Sequence, residues 1–254
     1  MILAITNQKG GVGKTTTAVN LAASLAATQR RVLLLDLDPQ GNATMGSGID
    51  KYSLNLSLYD VLTQRCGAQE ATMYAEAAGY HIIPANADLT AAEVELISVI
   101  GREQRLARAL ESVRQYYDVI LIDCPPSLSM LTVNALVAAN GVIIPVQCEY
   151  YALEGLSALL ETVDSIKDAY NPGLRVEGIL RTMYDVRNSL TVEVSNQLLE
   201  HFGDRVYDTV IPRNVRLAEA PSYGLPVLYY DKASRGALTY LALAGEVNRQ
   251  QASL

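Results

Sequence analysis

Short, almost continuously apolar runs alternate along the chain with longer segments in which apolar residues recur every three or four positions. The runs predict seven β-strands, at residues 2–6, 32–36, 80–84, 118–123, 141–147, 176–183 and 206–211. The longer segments predict helices at residues 14–28, 102–116, 128–139, 152–169, 190–202 and 236–249. Strands that are apolar throughout are typical of a parallel sheet with both faces covered. The pattern therefore predicts an α/β fold with a doubly wound, mostly parallel sheet, whose ligands bind at the carboxyl ends of the strands.

No feature of the sequence divides this pattern into two units. No linker rich in Pro, Gly or Ser interrupts it, and no internal repeat is visible. Residues 40–79 and 185–190 are the least regular parts and are expected to form loops and small helices. We therefore predict one domain over residues 1–254 in preference to two small ones.

Composition narrows the class of protein. Of the 254 residues 50% are apolar, which suffices for a substantial core and excludes general disorder. No apolar run approaches the ~20 residues of a membrane span, and Ile2 to Ile5 lead directly into a glycine-rich loop. That start predicts neither a signal peptide nor an amino-terminal helix-turn-helix arm. Cys66, Cys124 and Cys148 are widely spaced and odd in number, so reduced thiols in the cytoplasm are expected instead of disulfides or a zinc site.

The net charge of −7 is unevenly distributed. Residues 1–170 carry 11 basic and 18 acidic side chains, whereas residues 171–254 carry 9 of each. This balance excludes a generally basic nucleic-acid-binding protein. It leaves room for a local basic patch in the last third of the chain.

Candidate chemistry begins at residues 7–17, NQKGGVGKTTT, between the first predicted strand and the first predicted helix. This segment is close to the phosphate-binding pattern G-x-x-x-x-G-K-[ST], except that Gln8 replaces the first glycine and Lys9 is an additional cation. In that pattern Lys14 covers the β- and γ-phosphates of a nucleotide, and the Thr15 hydroxyl ligates Mg²⁺.

Glycines explain why such a loop binds an anion. Gly10, Gly11 and Gly13 would let backbone N–H groups approach phosphate oxygens, and the helix that follows directs its positive dipole end at the same place. The competing interpretation is an ordinary glycine-rich turn between a strand and a helix. The Gly-Lys-Thr-Thr sequence at this position favours the phosphate loop.

Three aspartates follow predicted strands. Asp123 ends the run VILID, which has the form of a Walker B strand whose carboxylate holds the water shell of the metal. Asp36 and Asp38 follow VLLL and, two residues apart on an extended chain, would point to the same side. One of the two can serve Mg²⁺ while the other orients an attacking water. Each alone could equally be a helix cap or a turn residue.

The additional lysine has two interpretations. A single loop lysine is usually solvated. Lys14 already neutralises the near side of the phosphates, however, so Lys9 is expected to point outward, toward whatever faces the site. If a second copy of the same site lies there, Lys9 could supply charge to the transition state in trans, as an arginine finger does.

The segment KGGVGKTT resembles the deviant Walker A signature of the MinD/ParA class of P-loop ATPases. The resemblance covers most of the chain and is closest to the chromosomal ParA (Soj) family. The matching segments are DLDPQGNAT (36–44), DVILIDCPPSLS (118–129), PVQCEYYALEG (145–155), IPRNVRLAEAPSYG (211–224) and YDKASRGA (230–237).

The resemblance implies a slow, partner-stimulated ATPase that uses Mg²⁺ and forms a nucleotide-sandwich homodimer. Lys9 of each subunit then reaches the phosphates of the other, and Asp38 supports the attack of water. Glu149 is implied near the nucleotide sugar, and Pro212 and Asn214 at the adenine. The remaining implied nucleotide-binding residues belong to the phosphate loop: Gly10, Gly11, Val12, Gly13, Lys14, Thr15 and Thr16. The implied metal site comprises Thr15, Asp36 and Asp123.

The family also implies partners. Its ATP-bound dimers bind double-stranded DNA non-specifically, and a ParB-type centromere-binding protein stimulates hydrolysis and releases them, so a cytoplasmic, nucleoid-associated protein is expected. By position, Arg187 and Arg216 match arginines implicated in DNA binding. Arg213, Lys232 and Arg235 could extend the patch, although each could be a solvated surface residue, and Arg213 has a competing role beside the adenine.

Four other functions are weighed against this one. MinD-like positioning ATPases end in a basic amphipathic helix that lies on lipid, but ALTYLALAGEVNRQQASL has no cationic face and predicts a core helix without stable membrane insertion. Relatives with an iron–sulfur cluster need two cysteines per subunit at the dimer axis, and buried apolar thiols fit better here. Tyrosine kinases with this loop carry a tyrosine-rich tail, whereas the 15 tyrosines here are scattered. A non-catalytic, nucleotide-gated adaptor remains open.

Overall fold

The structure, a computed structural model, describes residues 1–252, so the last two residues of the predicted domain lie outside it. The strands are β1 (Ile2–Ile5), β2 (Val32–Asp36), β3 (Met73–Ala75), β4 (Tyr80–Ile83), β5 (Val119–Asp123), β6 (Gly141–Gln147), β7 (Arg175–Tyr184) and β8 (Val206–Pro212). The α-helices are α1 (Lys14–Ala27), α2 (Asn42–Gly46), α3 (Leu58–Leu62), α4 (Ala68–Ala71), α5 (Leu89–Leu96), α6 (Arg105–Leu110), α7 (Met130–Ala138), α8 (Ala152–Ala169), α9 (Ser189–Phe202), α10 (Val215–Glu219), α11 (Val227–Tyr230) and α12 (Arg235–Ala252).

All eight strands form one sheet, in the order β3-β4-β2-β5-β1-β6-β7-β8. Every neighbouring pair is parallel except β3 with β4 at one edge. After β1 the chain crosses to β2 and β4 on one side, and later fills the other side with β6, β7 and β8. The loop that follows β1 therefore opens at the point where the strand order reverses, which is where open α/β sheets bind ligands.

Apolar side chains cover both faces of the sheet. Along β2, Leu33 and Leu35 pack into one buried cluster while Leu34 packs into the other. The first cluster lies under α3 and α6 to α9, and the second lies under α1, α11 and α12. This arrangement confirms the predicted doubly wound, mostly parallel sheet of a single-domain α/β protein.

The predicted strands are all present, within two residues at each end. The three-residue strand β3 lies in the segment predicted to be irregular, which also contains α2, α3 and α4. Helices α5, α10 and α11 were not predicted, because they have only four to eight residues and too few turns to show a period.

The helix predicted over residues 102–116 is wrong as a single element. The structure has 3₁₀ turns at Arg102–Gln104 and Arg114–Tyr116 on either side of the short α6. The buried side chain of Asn134 accepts a hydrogen bond from the Leu106 N–H (3.0 Å) and donates one to the Arg102 carbonyl (2.9 Å). These two groups would bond to each other in a continuous helix, so the inserted amide interrupts the helical ladder.

The carboxyl-terminal helix α12 is a core helix. Ala237, Tyr240, Leu243, Ala244 and Val247 of this helix are buried in the second apolar cluster. Its apolar stripe is thus covered by the sheet and by α1. Among residues 1–252, no helix combines the length and the apolar character required for crossing a bilayer.

One close contact between β7 and β8 gives a test of the packing. A methyl group at Gly178 would overlap the ring of buried Tyr207. We expect Gly178→Ala to lower the free energy of unfolding by about 1–3 kcal/mol, measured by urea denaturation. Gly155→Ala in α8 is the matched control, because a methyl group there meets no atom within 4 Å and should be neutral or stabilise by up to ~1 kcal/mol.

Candidate nucleotide site

The glycine loop joins β1 to α1 and exposes its backbone. Gly11 and Gly13 have positive φ angles of 76° and 89°, which only glycine adopts readily. No atom lies within 4 Å of the position a β-carbon would take at Gly10 or Gly11. An anion can therefore approach the backbone of the loop directly, next to the first turn of α1.

Side chains of neighbouring strands and of the loop itself hold this conformation. The Asn7 amide donates to the Pro145 carbonyl of β6 (2.7 Å), and its oxygen accepts from the Lys9 N–H (2.9 Å). The Thr182 hydroxyl of β7 donates to the Val12 carbonyl (2.8 Å). The loop is thus anchored to β6 and β7, on one side of β1, and is preorganised for a ligand.

Lys14 lies under the loop with little access to solvent. Its ammonium group donates to the Lys9 carbonyl (3.0 Å). Burial lowers the pKa of Lys14, while the Asp123 carboxylate acts in the opposite direction. The side chain is therefore a largely desolvated cation beside an open anion-binding loop.

Asp123 is the unusual group of the site. It is fully buried at the end of β5, and neither of its carboxylate oxygens accepts a hydrogen bond of normal geometry from the described residues, although the Thr15 hydroxyl lies near enough to lower its pKa. Burial raises its pKa well above the usual range and the Asp36 carboxylate adds to the rise, whereas Thr15 and Lys14 oppose it. Two buried oxygens without donors, next to a threonine hydroxyl, fit a cation that the folded chain alone does not supply.

Asp36 is paired with Asp123 in the register of β2 and β5, yet its oxygens are occupied. Oδ2 accepts from the Thr44 N–H and from the Thr44 hydroxyl, both at 2.7 Å, and Oδ1 accepts from the Asp38 N–H at 3.2 Å. Burial raises the pKa of Asp36 to about 6, and the three hydrogen bonds act in the opposite direction. The role of Asp36 as a metal ligand stays a prediction. The oxygens of Asp123 are less occupied by hydrogen bonds and are therefore more available to a metal ion.

Asp38 is the third carboxylate of the site, and its charge contributes to the pKa shifts of Lys14, Asp36 and Asp123. It lies in a turn after β2, where its side chain accepts from the Gln40 N–H (2.9 Å) and its carbonyl accepts from the Gly41 N–H (2.9 Å). The side chain remains half-exposed. It is therefore accessible from the open side of the loop.

Lys9 is exposed but not free. Its ammonium group forms an ion pair with Glu149 of the same chain, at 2.6 Å, and the two side chains are 43% and 46% exposed. Glu149 follows β6 and precedes Tyr150 and Tyr151, which stack edge to face with ring centroids 5.0 Å apart. Glu149 is thus held at the entrance of the loop, and its predicted place near a nucleotide sugar stays a prediction.

A cavity of about 170 Å³ adjoins the loop. Gly13 and Thr16 line it, as do Pro212 and Asn214. The remaining lining residues are mainly apolar: Thr182, Met183, Ile211, Arg213, Leu217, Ala218 and Tyr240. An apolar slot beside a phosphate loop is suited to a flat base, so the structure brings together the residues predicted at the adenine.

The predicted basic patch is only partly assembled. Arg187, Arg213 and Arg235 line one open depression of about 670 Å³, together with Tyr184 and Thr239. Arg187 is paired with Asp185 at 2.8 Å, which cancels part of its charge.

The other two predicted DNA contacts lie outside this depression. Arg216 forms ion pairs with Glu219 (2.8 Å) and Asp231 (3.3 Å), and Lys232 is exposed. Among the described side chains Arg213, Arg235 and Lys232 have no carboxylate within 4 Å, so they carry the uncompensated charge of this surface.

Known proteins of similar sequence identify the family of this chain. A family model described as an AAA domain matches residues 1–176. The sporulation initiation inhibitor protein Soj of Bacillus subtilis is 55% identical over 246 residues, which are 97% of each chain. The chromosome partitioning protein ParA of Caulobacter vibrioides is 52% identical over 248 residues, 97% of this chain and 93% of that one. The chain belongs to the ParA/Soj family of chromosome-partitioning ATPases.

A solved structure of a similar protein contains a nucleotide and a metal ion. Cobyrinic acid a,c-diamide synthase from Mycobacterium smegmatis, with a bound ATP analog and magnesium, is 38% identical and superimposes with a TM-score of 0.87, covering 99% of this chain and 96% of that one. The ParA/Soj chain is more similar in sequence to the two partitioning proteins than to this enzyme. The predicted membership of the ParA/Soj family and the P-loop ATPase fold are both confirmed.

The side chains of the site fit magnesium, the metal contained in the related synthase structure. Across residues 1–252, no cluster of three His, Cys, Asp or Glu side chains is arranged to hold a metal. Cys124 and Cys148 are buried free thiols, and burial raises the pKa of Cys148 to about 11. A hydroxyl and one or two carboxylates, completed by phosphate oxygens and water, are the coordination that Mg²⁺ prefers at nucleotide sites.

Several residues of the site were not found from the sequence. Side-chain hydrogen bonds that hold the site together come from Asn7, Thr44 and Thr182. Met183 lines the cavity and has a positive φ of 49°. Asn7 and Thr44 lie inside or beside the recognised motifs, so a search for hydrogen-bonding side chains there could have found them. Thr182 and Met183 come from a distant strand, and only the fold brings them to the loop.

The buried carboxylate of Asp123 is expected to lower the stability of the free protein while serving ligand binding. Its folded-state pKa is raised, so the folded protein is penalised at pH values above the unfolded value of ~3.9. We expect Asp123→Asn to raise the free energy of unfolding at pH 7 without nucleotide, because the amide carries no charge that burial would penalise.

The gain should shrink toward zero as the pH falls below ~4, because the carboxyl is then protonated in both states. Urea denaturation across this range provides the measurement. Asp164→Asn, an exposed position on α8, should change stability little at any pH. An Asp123→Asn protein less stable than the parent at pH 7 would show that the carboxylate has partners in the free protein.

Proposed function

We propose that this protein is a Mg²⁺-dependent ATPase whose ATP-bound homodimer binds double-stranded DNA and moves or positions it during partitioning. In this proposal residues 1–254 act as one ParA-type unit. The observation that carries it is the desolvated Lys14 beside the partnerless carboxylate of Asp123, both at an open glycine loop. A nucleotide triphosphate with its metal supplies the charges of both signs that this pair lacks.

In the proposed reaction, the loop binds the triphosphate through backbone N–H groups from Gly10 to Thr16, with the adenine between Pro212 and Asn214. Lys14 stabilises the β- and γ-phosphates. Thr15 and Asp123 would hold Mg²⁺, which neutralises phosphate charge as the terminal phosphoryl group leaves. Asp38, accessible in its turn, orients the attacking water in line with the bond that breaks.

Pairing of two copies would complete this site. The Lys9–Glu149 pair is half-exposed on both sides, and such pairs contribute roughly 0–1 kcal/mol to stability. Lys9 can therefore leave Glu149 at little cost and reach a triphosphate on a facing copy. Once there, it adds positive charge where the transition state develops negative charge.

DNA binding is assigned to the basic surface at the ends of β7 and β8. Arg213 and Arg235 supply free cations in the depression, and Arg187, Lys232 and Arg216 flank or extend them. Pairing two subunits doubles the positive field, so a chain of net charge −7 can bind phosphates in the dimer. A ParB-type partner that stimulates hydrolysis, and a nucleoid-associated location in the cytoplasm, complete the proposal.

The pairing step is tested by measuring molecular mass with light scattering in ATP, in ADP and without nucleotide. We expect Asp38→Ala to remain dimeric in ATP, because the bound nucleotide is not hydrolysed. Lys9→Ala should still bind ATP yet stay monomeric with a slowly hydrolysed analogue. Lys167→Ala removes an exposed lysine from α8 and should behave as the parent does. A parent protein that stays monomeric with ATP would contradict the proposal.

The DNA surface is tested with Arg235→Ala, since Arg213 also lines the adenine cavity. Loss of one phosphate contact in each subunit should make the plot of log affinity against log salt shallower by roughly 2 and lower affinity by about tenfold at ~0.1 M salt. Dimerisation should be unchanged. Lys167→Ala, with the same loss of charge on the opposite face of the sheet, is the control; an equal effect there would reject a localised patch.

A further inference from the structure

The two neighbouring carboxylates at the ends of β2 and β5 have opposite surroundings. Asp123 accepts no hydrogen bond of normal geometry from the described residues, with only the Thr15 hydroxyl nearby, whereas Asp36 accepts three hydrogen bonds. All three of those donors lie between residues 38 and 44, in the segment that carries Asp38. The fully buried Asp36 carboxylate thus accepts hydrogen bonds from both ends of this segment, at Asp38 and at Thr44.

Thr44 is the second half of the contact. It is completely buried in α2, and its hydroxyl donates to Asp36 at 2.7 Å while accepting from the Ala85 N–H at 2.9 Å. One oxygen therefore connects the end of β2 to the chain that leaves β4. The Thr44 N–H, which also donates to Asp36, orients the helix around this point.

Ala85 packs against the same segment at Gly41. Its carbonyl lies so close to Gly41 that a β-carbon there would approach to 2.7 Å, and Gly41 has a positive φ of 62°. The Gly41 N–H closes the turn by donating to the Asp38 carbonyl. The turn that presents Asp38 is therefore fixed on one side by Asp36 and Thr44 and on the other by packing on Ala85.

From this geometry we infer that Asp36 and Thr44 are positioning residues that hold the Asp38 turn, and that Asp36 is not a ligand of the metal. The inference rests on the proposed ATPase function, because its consequence is the placement of the water-orienting carboxylate. A hydroxyl at position 44 is required to donate and to accept at once. Serine retains both bonds, whereas valine, of similar shape, retains neither.

The experiment measures steady-state turnover, ATP affinity and amide hydrogen exchange in four variants. Thr44→Val should lower kcat by roughly 10- to 100-fold, because small displacements of catalytic groups cost that much, with ATP affinity changed less than about twofold. Thr44→Ser should restore most of the activity. Amide exchange over residues 37–45 should quicken in Thr44→Val and not in Thr44→Ser.

Ser47→Ala provides the matched control. The Ser47 hydroxyl is also fully buried in this segment, where it bonds to the Ala43 carbonyl and the Tyr80 hydroxyl, but it does not touch Asp36. It should leave kcat within about twofold of the parent value. A loss in Ser47→Ala equal to that in Thr44→Val would mean that general loosening of the segment explains both, and would overturn the inference.

Asp36→Asn separates positioning from metal binding. A positioning role predicts lower kcat and faster exchange over residues 37–45, with the Mg²⁺ concentration for half-maximal ATP binding unchanged, and an effect that is not additive with Thr44→Val. A severalfold rise in the Mg²⁺ requirement would overturn the inference. So would normal turnover in Thr44→Val. A parent protein without ATP turnover would instead refute the proposed function, while the exchange measurement would still test the contact.

Discussion

The site depends on charges buried together at the ends of two neighbouring strands. Lys14, Asp36 and Asp123 are each at most 7% exposed, and burying a charge is costly unless it is paired and hydrogen-bonded. Asp36 meets this requirement with donors from its own segment, but Asp123 does not. The raised pKa of Asp123 and the lowered pKa of Lys14 record that unresolved cost. The folded protein can bear the energetic cost of these buried charges because the apolar core on both faces of the sheet is large.

The sheet and the loop were predictable because their signals are local. Continuous apolar strands separated by helical periods specify a parallel sheet, and a glycine loop between the first strand and helix specifies where a phosphate binds. The helix over 102–116 was not predictable as three pieces, since Asn134 interrupts it from a different helix. Similarly, Asp36 and Asp123 look alike in sequence, and only the arrangement of donors around each distinguishes them.

The ion-pair partner of Lys9 also could not be predicted from the sequence. Sequence indicated a lysine that points outward, and the structure shows an exposed lysine held by Glu149, which is 140 positions away along the chain. An exposed pair of this kind contributes little to stability, so Glu149 places the Lys9 ammonium group without binding it tightly. No local pattern around Lys9 contains this partner.

The cavity beside the glycine loop and the basic depression are both lined by Pro212 and Arg213. A nucleotide base on one side and a phosphate backbone on the other would therefore press on the same few residues. Thermodynamic linkage requires the influence to be mutual: by whatever factor ATP improves DNA affinity through these residues, DNA improves ATP affinity equally. Under the proposed function, a subunit bound to DNA would then hold ATP with a higher affinity than a subunit in free solution, by the same factor.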